Sequence, residues 1–353
     1  MDRNKVILGL SGGVDSAAAA VYLKNKGLTV VGLYFDIDPE GNADGKRTAE
    51  HAAQQLGIEF VYKNVAEEFA KNVVSDFKKE YSIGRTPNPC IVCNPLVKFK
   101  TFIEEADRQG AFYIATGHYA RTVYDDDLDS WFIRQGASLK KDQSYMLCRL
   151  DKSVVERIIF PLGEAEDKGS VRETARDAGL DNAEAKDSQE ICFIDDDDYV
   201  GWLVRNGVPE KPGDFVDMNG NRIGGHKGII RYTVGQRKGL GVTFGKPMFV
   251  TEIDGKTNRV VLGSNEDLMK TEVWASSNFF IMTGDDRLPP GLDGEKITAK
   301  IRYAAKPAPG RIYSDGKKVR VVFDAPLRAA TPGQTLVYYL GDKVLGGGFI
   351  LEF

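Results

Sequence analysis

The chain has 353 residues, of which 42% are hydrophobic and 28% charged, and its formal net charge is −4. This composition is typical of a soluble globular protein of two or three domains, and the net charge argues against a surface that is basic overall. No apolar run is long enough to span a membrane, and the apolar stretch near Met1 is too short for a signal peptide, so we expect a cytoplasmic protein. Four cysteines are too few for a disulfide scaffold, which leaves catalysis, metal binding or packing as their uses.

The N-terminal part of the chain alternates predicted strands with predicted helices. An apolar run at Lys5 to Leu10 precedes a Gly/Ser turn and an Ala-rich segment of good helix formers, Ser16 to Lys24. The alternation continues with a helix predicted at Thr48 to Leu56 and with strands predicted at Thr29 to Ile37, Glu59 to Val65 and Ala111 to Thr116. The pattern predicts an α/β fold with a parallel sheet, whose ligand site lies at the carboxyl ends of the strands.

After about residue 205 the sequence changes to short β-branched and aromatic runs separated by Gly, Pro and Asn. Strands of a small β-rich unit are predicted at Gly213 to Val216, Gly228 to Val234, Pro247 to Ile253 and Arg259 to Leu262. A break near Ser264 to Lys270 is followed by the strands of a predicted small closed barrel, at Ile297 to Tyr303, Val319 to Phe323, Thr335 to Tyr339 and Lys343 to Leu351. We therefore predict three domains, at residues 1–204, 205–270 and 271–353.

A glycine-rich loop joins the first predicted strand to the first predicted helix. It reads Gly9-Leu10-Ser11-Gly12-Gly13-Val14-Asp15-Ser16. Backbone amides and the positive end of a helix can hold phosphate at such a place. The loop has neither the Gly-Lys-Ser/Thr of a Walker A motif nor the dinucleotide pattern. The alternative is a glycine turn with a capping serine and no ligand.

The sequence Ser-Gly-Gly-Val-Asp-Ser at residues 11–16 resembles the signature of the PP-loop ATP pyrophosphatases, which cleave ATP between the α and β phosphates and adenylate a substrate oxygen. The resemblance implies that the loop binds ATP, that Asp15 helps to hold Mg²⁺ and pyrophosphate, and that Ser11 and Ser16 donate to phosphate oxygens. It also implies that the base lies near Phe35 and that Gly117 lines the ribose and the α-phosphate. Without it, Phe35 is interpreted as a core aromatic and Gly117 as a turn residue.

The cysteines occur in three different contexts. Cys90 and Cys93 follow two prolines, and because proline opposes regular structure we predict an exposed loop at Thr86 to Asn94. Cys192 lies in the segment Asp187 to Ile194. Cys148 follows an apolar, helix-like run and is predicted to be a buried small hydrophobic residue.

Both segments that carry the first three cysteines closely resemble motifs of the bacterial tRNA-specific 2-thiouridylases. The match covers nearly the entire chain, because it extends to residues 116–120, 141–145, 232–241 and 330–334. The resemblance implies ATP-dependent 2-thiolation of the wobble uridine in tRNA through an adenylated uridine. It also implies a sulfur donor protein of a cysteine desulfurase relay as partner, and we take a monomer or weak dimer as the default state.

For the sulfur chemistry, the resemblance implies that Cys192 carries the incoming sulfur as a persulfide. Cys93 would attack it, release sulfide and leave a Cys93–Cys192 disulfide that is then reduced. The chemistry is reasonable, because adenylation supplies a leaving group and a thiolate is nucleophilic at neutral pH.

One position departs from the family, since well-studied members have an aspartate, a candidate acid/base, where this chain has Cys90. A third thiol allows another scheme, in which Cys90, Cys93 and Cys192 bind three irons of a 4Fe–4S cluster and the fourth iron is open to hydrosulfide. A structural zinc is less favoured, because its fourth ligand would be His118 or Cys148 and neither has finger spacing.

An enzyme that modifies a base must take it out of the stack and read it in a pocket. The resemblance implies that the extruded uridine and the tRNA are contacted by Asn88, Pro89, Cys90, His118, Lys141, Asp142, Gln143, Arg302, Tyr303 and Gln334. The sequence itself adds a basic stretch, Lys296 to Arg320, with eight basic residues and one acidic one, which is a candidate phosphate-binding face. For any single residue of it the alternative is a solvated strand face. The segment Asp181 to Asp198 is the reverse, with eight acidic residues and one basic one.

Two other functions stay open at this point. Another PP-loop adenylating ligase, such as an amidotransferase or a lysidine synthetase, would need no cysteine trio. A non-catalytic RNA-binding protein with a degenerate nucleotide fold would need no intact loop at Ser11 to Ser16.

Overall fold

The N-terminal half of the chain is organised by a parallel sheet. The computed structural model describes residues 1–181, 191–194, 196–241, 245 and 247–352. In this part of the chain the sheet has five strands in the order β3-β2-β1-β4-β7. They are β1 (Asp2–Gly9), β2 (Thr29–Asp36), β3 (Glu59–Asn64), β4 (Ala111–Ala115) and β7 (Ile158–Ile159).

Helices cover both faces of this sheet because its central strands are apolar on both sides. In β1 the side chains of Val6 and Leu8 belong to one buried cluster and that of Ile7 to another, as the alternation of a strand requires. The helices are α1 (Val14–Asn25), α2 (Ala43–Leu56), α3 (Ala66–Phe69), α4 (Ser75–Ser82), α5 (Pro89–Cys93), α6 (Phe99–Arg108), α7 (Lys152–Val155), α8 (Lys168–Asp177) and α9 (Tyr199–Arg205).

Two helical stretches contain a π-helical turn. The turn Ala70–Val74 joins α3 directly to α4, and the turn Asn94–Lys98 joins α5 directly to α6. In the second turn Pro95 has no N–H to donate to the preceding helix, which is a recognised reason for an α-helix to deviate locally. Such turns are frequent at functional sites.

A small mixed sheet follows. It consists of β8 (Gly213–Val216), β9 (Arg222–His226), β10 (Phe249–Asp254) and β11 (Arg259–Gly263), in the order β10-β11-β8-β9. Only the β8 and β11 pair is parallel. The strand predicted at Gly228 to Val234 is wrong, because this segment forms a 3₁₀ turn at Ile229–Arg231. Ile229 and Ile230 are both buried, whereas a strand would point consecutive side chains to opposite faces.

The last part of the described chain is a closed barrel. Its strands are β12 (Met269–Phe280), β13 (Lys296–Lys300), β14 (Ala308–Asp315), β15 (Lys318–Arg328), β16 (Thr335–Leu340) and β17 (Lys343–Ile350). The long strand β12 pairs with both β15 and β17 and so closes the ring. The predicted fold class is therefore confirmed: a parallel α/β unit, a small β-rich unit and a closed β-barrel. The boundaries 1–204, 205–270 and 271–353 stay predictions.

A hairpin of the N-terminal half also pairs with the barrel. Its strands β5 (Ala120–Asp125) and β6 (Ser130–Gln135) follow the parallel strand β4, and β6 continues the barrel sheet beside β17. The first and last parts of the chain thus share a sheet. Among the described helices, none combines the length and the apolar character needed to cross a membrane.

Candidate active site

The glycine-rich loop lies between β1 and α1 and is held by its own serines. The Ser16 hydroxyl donates to the Gly13 carbonyl at 2.9 Å and lies 3.3 Å from the Ser11 hydroxyl. The backbone N–H of Gly13 donates to Ser11 Oγ at 3.3 Å. Within the described chain, no side chain caps the start of α1. The first N–H groups of this helix are therefore available to a ligand bound in the loop.

Two glycines let the backbone come close enough to build this loop. Gly12 has a φ of +78°, and a Cβ there would lie 2.7 Å from the Thr48 methyl group. Gly117 follows β4, and a Cβ there would lie 3.0 Å from the Asp15 carbonyl carbon and 3.1 Å from its oxygen. The positive φ favours glycine at position 12, and a side chain at position 117 would crowd the backbone of Asp15.

The loop borders a cavity of about 270 Å³ at the carboxyl edge of the parallel sheet. The residues predicted to bind nucleotide line it with the exception of Gly12: Gly9, Leu10, Ser11, Gly13, Val14, Asp15, Ser16, Phe35 and Gly117. The remaining lining residues are Leu33, Tyr34, Lys98, Phe102, Thr116, His118, Gln143 and Lys168. The structure thus brings the loop, Phe35 and Gly117 together around one space.

Lys98 and Lys168 are site residues that the sequence reasoning missed. Lys168 begins α8, and its ammonium lies 3.3 Å from Asp15 Oδ2, while the Tyr119 hydroxyl donates to Asp15 Oδ1 at 2.9 Å. The Lys98 ammonium lies 5.8 Å from the centre of the Phe35 ring. Neither lysine belongs to a motif with a defined spacing, so no local sequence signal identifies it.

His118 and Gln143, which were predicted to contact tRNA, also line this cavity. The His118 ring is stacked against Phe99 with ring centres 6.2 Å apart, and its Nδ1 lies 2.6 Å from Thr116 Oγ1. Burial, aided by the positive charge of Lys98, lowers the pKa of His118 well below its ordinary value. The imidazole is therefore neutral at physiological pH.

The cysteine segment is helical, so the predicted exposed loop is wrong. The Asn88 side chain accepts a hydrogen bond from the backbone N–H of Cys90 at 3.2 Å, and Pro89 occupies the first position of α5. An N-terminal asparagine cap followed by proline is a favourable helix start, which the expectation overlooked. Cys90 and Cys93 are half-buried on this helix rather than exposed.

The segment that carries Cys192 packs beside the cysteine helix. Cys93 and Phe193 contact the same apolar cluster, which is formed by Val65, Phe69, Val73 and Val97. Phe193 also packs edge-on against Phe69, with ring centres 5.5 Å apart. Cys192 itself is exposed, next to this anchor. Residues 187–190 of the predicted Asp187 to Ile194 motif, and Asp195 of the acidic run, lie outside the described residues.

The three thiols influence one another electrostatically. Burial, together with negative charge on Cys192 or Cys90 and against the charge of Lys98, raises the pKa of Cys93 to about 12. Although Cys192 is exposed, desolvation of its thiol by the surrounding protein and the charge of Cys90 raise its pKa to about 11. Burial also raises the pKa of Cys90, against the effect of Lys98. Cys93 is close to Cys90 and Cys192, and all three thiols are protonated at neutral pH.

Within the described part of the chain, no three His, Cys, Asp or Glu side chains are grouped so that they could hold a metal ion. The cysteines of a 4Fe–4S cluster bind different irons, so the cluster scheme with Cys90, Cys93 and Cys192 stays a prediction. Cys148 is fully buried in the core, as predicted.

The predicted tRNA residues of the barrel lie on the side of the cysteine helix. The Gln334 amide donates to the Thr86 carbonyl at 2.9 Å, just before Asn88. Tyr303 is partly exposed and lies 6.1 Å from Tyr145, between ring centres, while Arg302 is exposed beside it. Cys90 lies near enough to Tyr303 for its negative charge to raise the pKa of that tyrosine.

The side chains of residues 141–143, which were predicted to contact tRNA, differ in their surroundings. Asp142 is buried, and its carboxylate accepts hydrogen bonds from the backbone N–H groups of Gly136 and Ser144, at 3.1 and 3.0 Å. The Gln143 side chain accepts one from the backbone N–H of Tyr119 at 3.0 Å. Both side chains hold their own loop, and Lys141 and Gln143 are half-exposed.

Comparisons with known proteins match the whole chain. Residues 4–196 match a family model described as a tRNA methyl transferase HUP domain, residues 203–264 a tRNA methyl transferase PRC-barrel domain, and residues 289–350 an aminomethyltransferase beta-barrel domain. A protein of Acetivibrio thermocellus named tRNA-specific 2-thiouridylase MnmA is 44% identical over 99% of this chain and 100% of its own. Proteins so named from Caldanaerobacter subterraneus subsp. tengcongensis (MnmA 1) and Clostridioides difficile are 44% and 43% identical, each over 99% of this chain and 98% of its own.

Proposed function

The chain belongs to the tRNA-specific 2-thiouridylase family, and we propose that it replaces the 2-oxygen of the wobble uridine in tRNA with sulfur, in an ATP-dependent reaction. One observation carries the proposal for this chain. The cavity beside the glycine-rich loop and the two cysteines of α5 are joined by a single π-helical turn, whose last residue, Lys98, lines that cavity. An adenylating site and a thiol site are thus adjacent, as oxygen-to-sulfur exchange on one base requires.

In the first half-reaction the uridine 2-oxygen attacks the α-phosphate of ATP and pyrophosphate leaves. The start of α1 and the N–H groups of residues 11–16 would hold the phosphates, and Phe35 would lie against the adenine. Asp15 would hold Mg²⁺, since its carboxylate faces the cavity and carboxylate oxygens suit that ion; Mg²⁺ bound there would neutralise phosphate charge. The product is an adenylated uridine whose C2 carries a good leaving group.

In the second half-reaction sulfur arrives as a persulfide on Cys192. The Cys93 thiolate attacks the Cys192 Sγ, the S–S bond of the persulfide breaks, and hydrosulfide leaves with its electron pair. Hydrosulfide attacks C2 of the adenylated uridine and AMP departs. The two thiols are thereby oxidised to a disulfide while the sulfane sulfur is reduced to sulfide, and an external dithiol restores both thiols.

The packing of the two cysteine segments supports this pairing. Cys93 and Phe193, the neighbour of Cys192, contact the same buried cluster, and a negative charge on Cys192 raises the pKa of Cys93. The cluster scheme with Cys90, Cys93 and Cys192 is the alternative, and the dependence of thiolation on iron distinguishes the two. In the persulfide scheme Cys90 would border the extruded uridine.

The tRNA would enter between the barrel and the parallel unit. Gln334 and Tyr303 from the barrel, together with Asn88, border this region, and Lys296 to Arg320 supplies basic side chains for the RNA backbone. The persulfide would come from a donor protein of a cysteine desulfurase relay, and the exposure of Cys192 is compatible with such a transfer.

The proposal is tested by thiolation of an unmodified tRNA transcript with ATP and Mg²⁺, with sulfur supplied by a cysteine desulfurase and cysteine. Thiolated tRNA is detected by its retarded migration in a mercury-containing gel, and pyrophosphate release is followed in parallel. Cys93→Ala and Cys192→Ala should each abolish thiolation but keep tRNA-dependent pyrophosphate release, and Cys148→Ala is the matched control that keeps both.

The outcomes separate the two halves of the reaction. Pyrophosphate release without thiolated product in the wild type would mean that adenylation is right and the sulfur chemistry or the substrate is wrong. Thiolation only after anaerobic reconstitution with iron would replace the persulfide scheme with the cluster scheme. No tRNA-dependent pyrophosphate release would overturn the function altogether.

A further inference from the structure

Lys300 is a buried lysine at the end of the barrel strand β13. For any residue of the basic stretch Lys296 to Arg320 the alternative was a solvated strand face, but Lys300 is only 6% exposed. Its ammonium lies 5.6 Å from the centre of the Tyr145 ring and 5.6 Å from the centre of the Tyr303 ring. Tyr145 is fully buried and Tyr303 is 37% exposed, so the charge is held between an inner ring and an outer ring.

Within the described part of the chain, the ammonium of Lys300 has no hydrogen-bond acceptor and no ion pair. The carboxylate of Asp142, on the turn that carries Tyr145, instead accepts from the N–H groups of Gly136 and Ser144 and from the Ser144 hydroxyl. Burial lowers the pKa of Lys300, and the charge of Asp142 opposes this effect. Contacts with aromatic rings recover part of the hydration that a buried ammonium loses, but they leave its three N–H donors unused.

The packing of Tyr145 places these donors beside the cysteine helix α5. Tyr145 is followed by Met146, whose carbonyl accepts a hydrogen bond from the Asn94 side chain at 2.7 Å. The Met146 sulfur lies 3.5 Å from the amide nitrogen of Asn88, which caps α5 and is predicted to border the extruded uridine. Lys300 does not line the nucleotide cavity, so ATP bound there does not supply its acceptor.

We propose that the Lys300 ammonium binds a phosphate group of the RNA backbone next to the extruded uridine. A phosphate oxygen is a charged acceptor, which suits an ammonium that has lost its hydration and has three donors. The exposed ring of Tyr303 beside the charge adds a surface on which a base can stack. A cation next to an aromatic ring is typical of sites for single-stranded RNA. The inference rests on the proposed function in taking RNA as the substrate.

The first test measures how tRNA binding depends on salt, with the full-length protein and unmodified tRNA in the absence of ATP. Each phosphate neutralised in a single strand contributes about 0.7 to the slope of log K against log salt concentration. Lys300→Met should therefore reduce the magnitude of this slope by about 0.7. At about 0.1 M KCl it should weaken binding by roughly 10-fold to 150-fold, because a hydrogen bond to a charged group is lost. Lys300→Arg should keep the wild-type slope, because it keeps the charge.

The matched control is Lys26→Met, which removes the same charge elsewhere on the protein. Lys26 is exposed at the end of α1, whereas the nucleotide loop lies at the start of this helix. The slope and the affinity for tRNA of this variant should equal those of the wild type. A slope that is unchanged in Lys300→Met, or that falls equally in Lys26→Met, would overturn the proposal.

A neutral phosphate analogue separates a contact with phosphate from a contact with a base. The tRNA carries a methylphosphonate, which lacks the phosphate charge, at one or the other of the two phosphates that flank the wobble uridine. At one of these positions the wild type should lose as much affinity as Lys300→Met does. Lys300→Met should bind this modified tRNA and the unmodified tRNA equally well. Equal losses in both proteins at both positions would refute the phosphate contact.

Two further measurements exclude a structural role and a role in ATP binding. Replacing an unpaired buried charge by an apolar side chain of similar length removes a desolvated charge, so Lys300→Met should be at least as stable as the wild type in urea. Its affinity for ATP should be unchanged in calorimetric titration. Lower stability with an unchanged salt slope would assign Lys300 a structural role, and a loss of ATP affinity equal to that for tRNA would assign the phosphate to ATP; either result overturns the proposal.

The inference about Lys300 and the proposed function can fail separately. Thiolation of tRNA by the wild type, with an unchanged salt slope in Lys300→Met, refutes the role of Lys300 and leaves the function intact. A reduced slope in Lys300→Met, with a wild type that forms no thiolated tRNA, supports the phosphate site and refutes the proposed function.

Discussion

Replacement of Gly117 by alanine tests how closely the nucleotide loop and the end of β4 must approach. The new Cβ would lie 3.0 Å from the Asp15 carbonyl carbon, 3.1 Å from its oxygen and 3.2 Å from the Ser16 nitrogen. All three are backbone atoms at the start of α1, whose residues Ala17 to Ala20 are fully buried, so no flexible side chain can move aside. Overpacking of this kind costs about 1–3 kcal/mol.

The protein can respond to this steric strain in two ways. If the loop moves, the affinity for ATP falls by roughly 5-fold to 140-fold, because about 1.4 kcal/mol corresponds to a factor of ten. If the loop stays, the same energy is lost from the free energy of unfolding. Calorimetric titration with ATP and urea denaturation of the same preparation measure both quantities. The two losses together should amount to about 1–3 kcal/mol.

The matched control is Gly225→Ala in the small central sheet. A Cβ at Gly225 would have its nearest neighbours at 3.6 Å, which is ordinary van der Waals contact, so both quantities should stay close to wild type. Wild-type ATP affinity combined with wild-type stability in Gly117→Ala would refute the steric reasoning and the place of Gly117 in the nucleotide site.

Two further predictions concern stability and the tRNA side. Burial would raise the pKa of Glu105, but hydrogen bonds from Arg108, Gln109 and Lys63 lower it to about 2 from its ordinary value of 4.5. The stabilisation by the Glu105 carboxylate is therefore complete above pH 4.5 and is lost as the pH falls towards 2. Glu105→Gln should have a lower free energy of unfolding at pH 7. Urea denaturation of this variant should depend less on pH between 4.5 and 2 than that of the wild type. Gln334→Ala removes the hydrogen bond to Thr86 and should raise the KM for tRNA about twofold to tenfold, with the KM for ATP unchanged. Steady-state kinetics that show a raised KM for ATP and an unchanged KM for tRNA would contradict this.

The nucleotide loop could be predicted from the sequence because its chemistry is local. Eight consecutive residues supply the strand end, the turn and the helix start, and the glycines allow the close backbone approach that the loop needs. The fold class could be predicted for a similar reason, because the change from alternating apolar runs to short β-branched runs is visible along the chain. The hairpin β5–β6 was missed because its pairing with β17 joins segments about two hundred residues apart, to which no local pattern points.

The error at Thr86 to Asn94 has a different cause. The two prolines were interpreted as breakers, although Asn88 before Pro89 also meets the rule for a helix start. The structure resolves the conflict, because the Asn88 side chain caps α5 and the next proline falls in the π-helical turn. A proline can end a helix or begin one, and the residues beside it decide which.

The two halves of the proposed site differ in how ready they are to react. The nucleotide loop is already assembled, with its serines bonded to one another and Asp15 in place. The thiols are not, because burial keeps Cys93 protonated at neutral pH and Lys98 offsets only part of that effect. A persulfide attacked before the uridine is adenylated would lose its sulfide to solvent. A weakly ionised Cys93 slows that loss, and hydrogen bonds from the bound uridine or its sugar to the sulfur would raise the thiolate fraction only when the acceptor base is present.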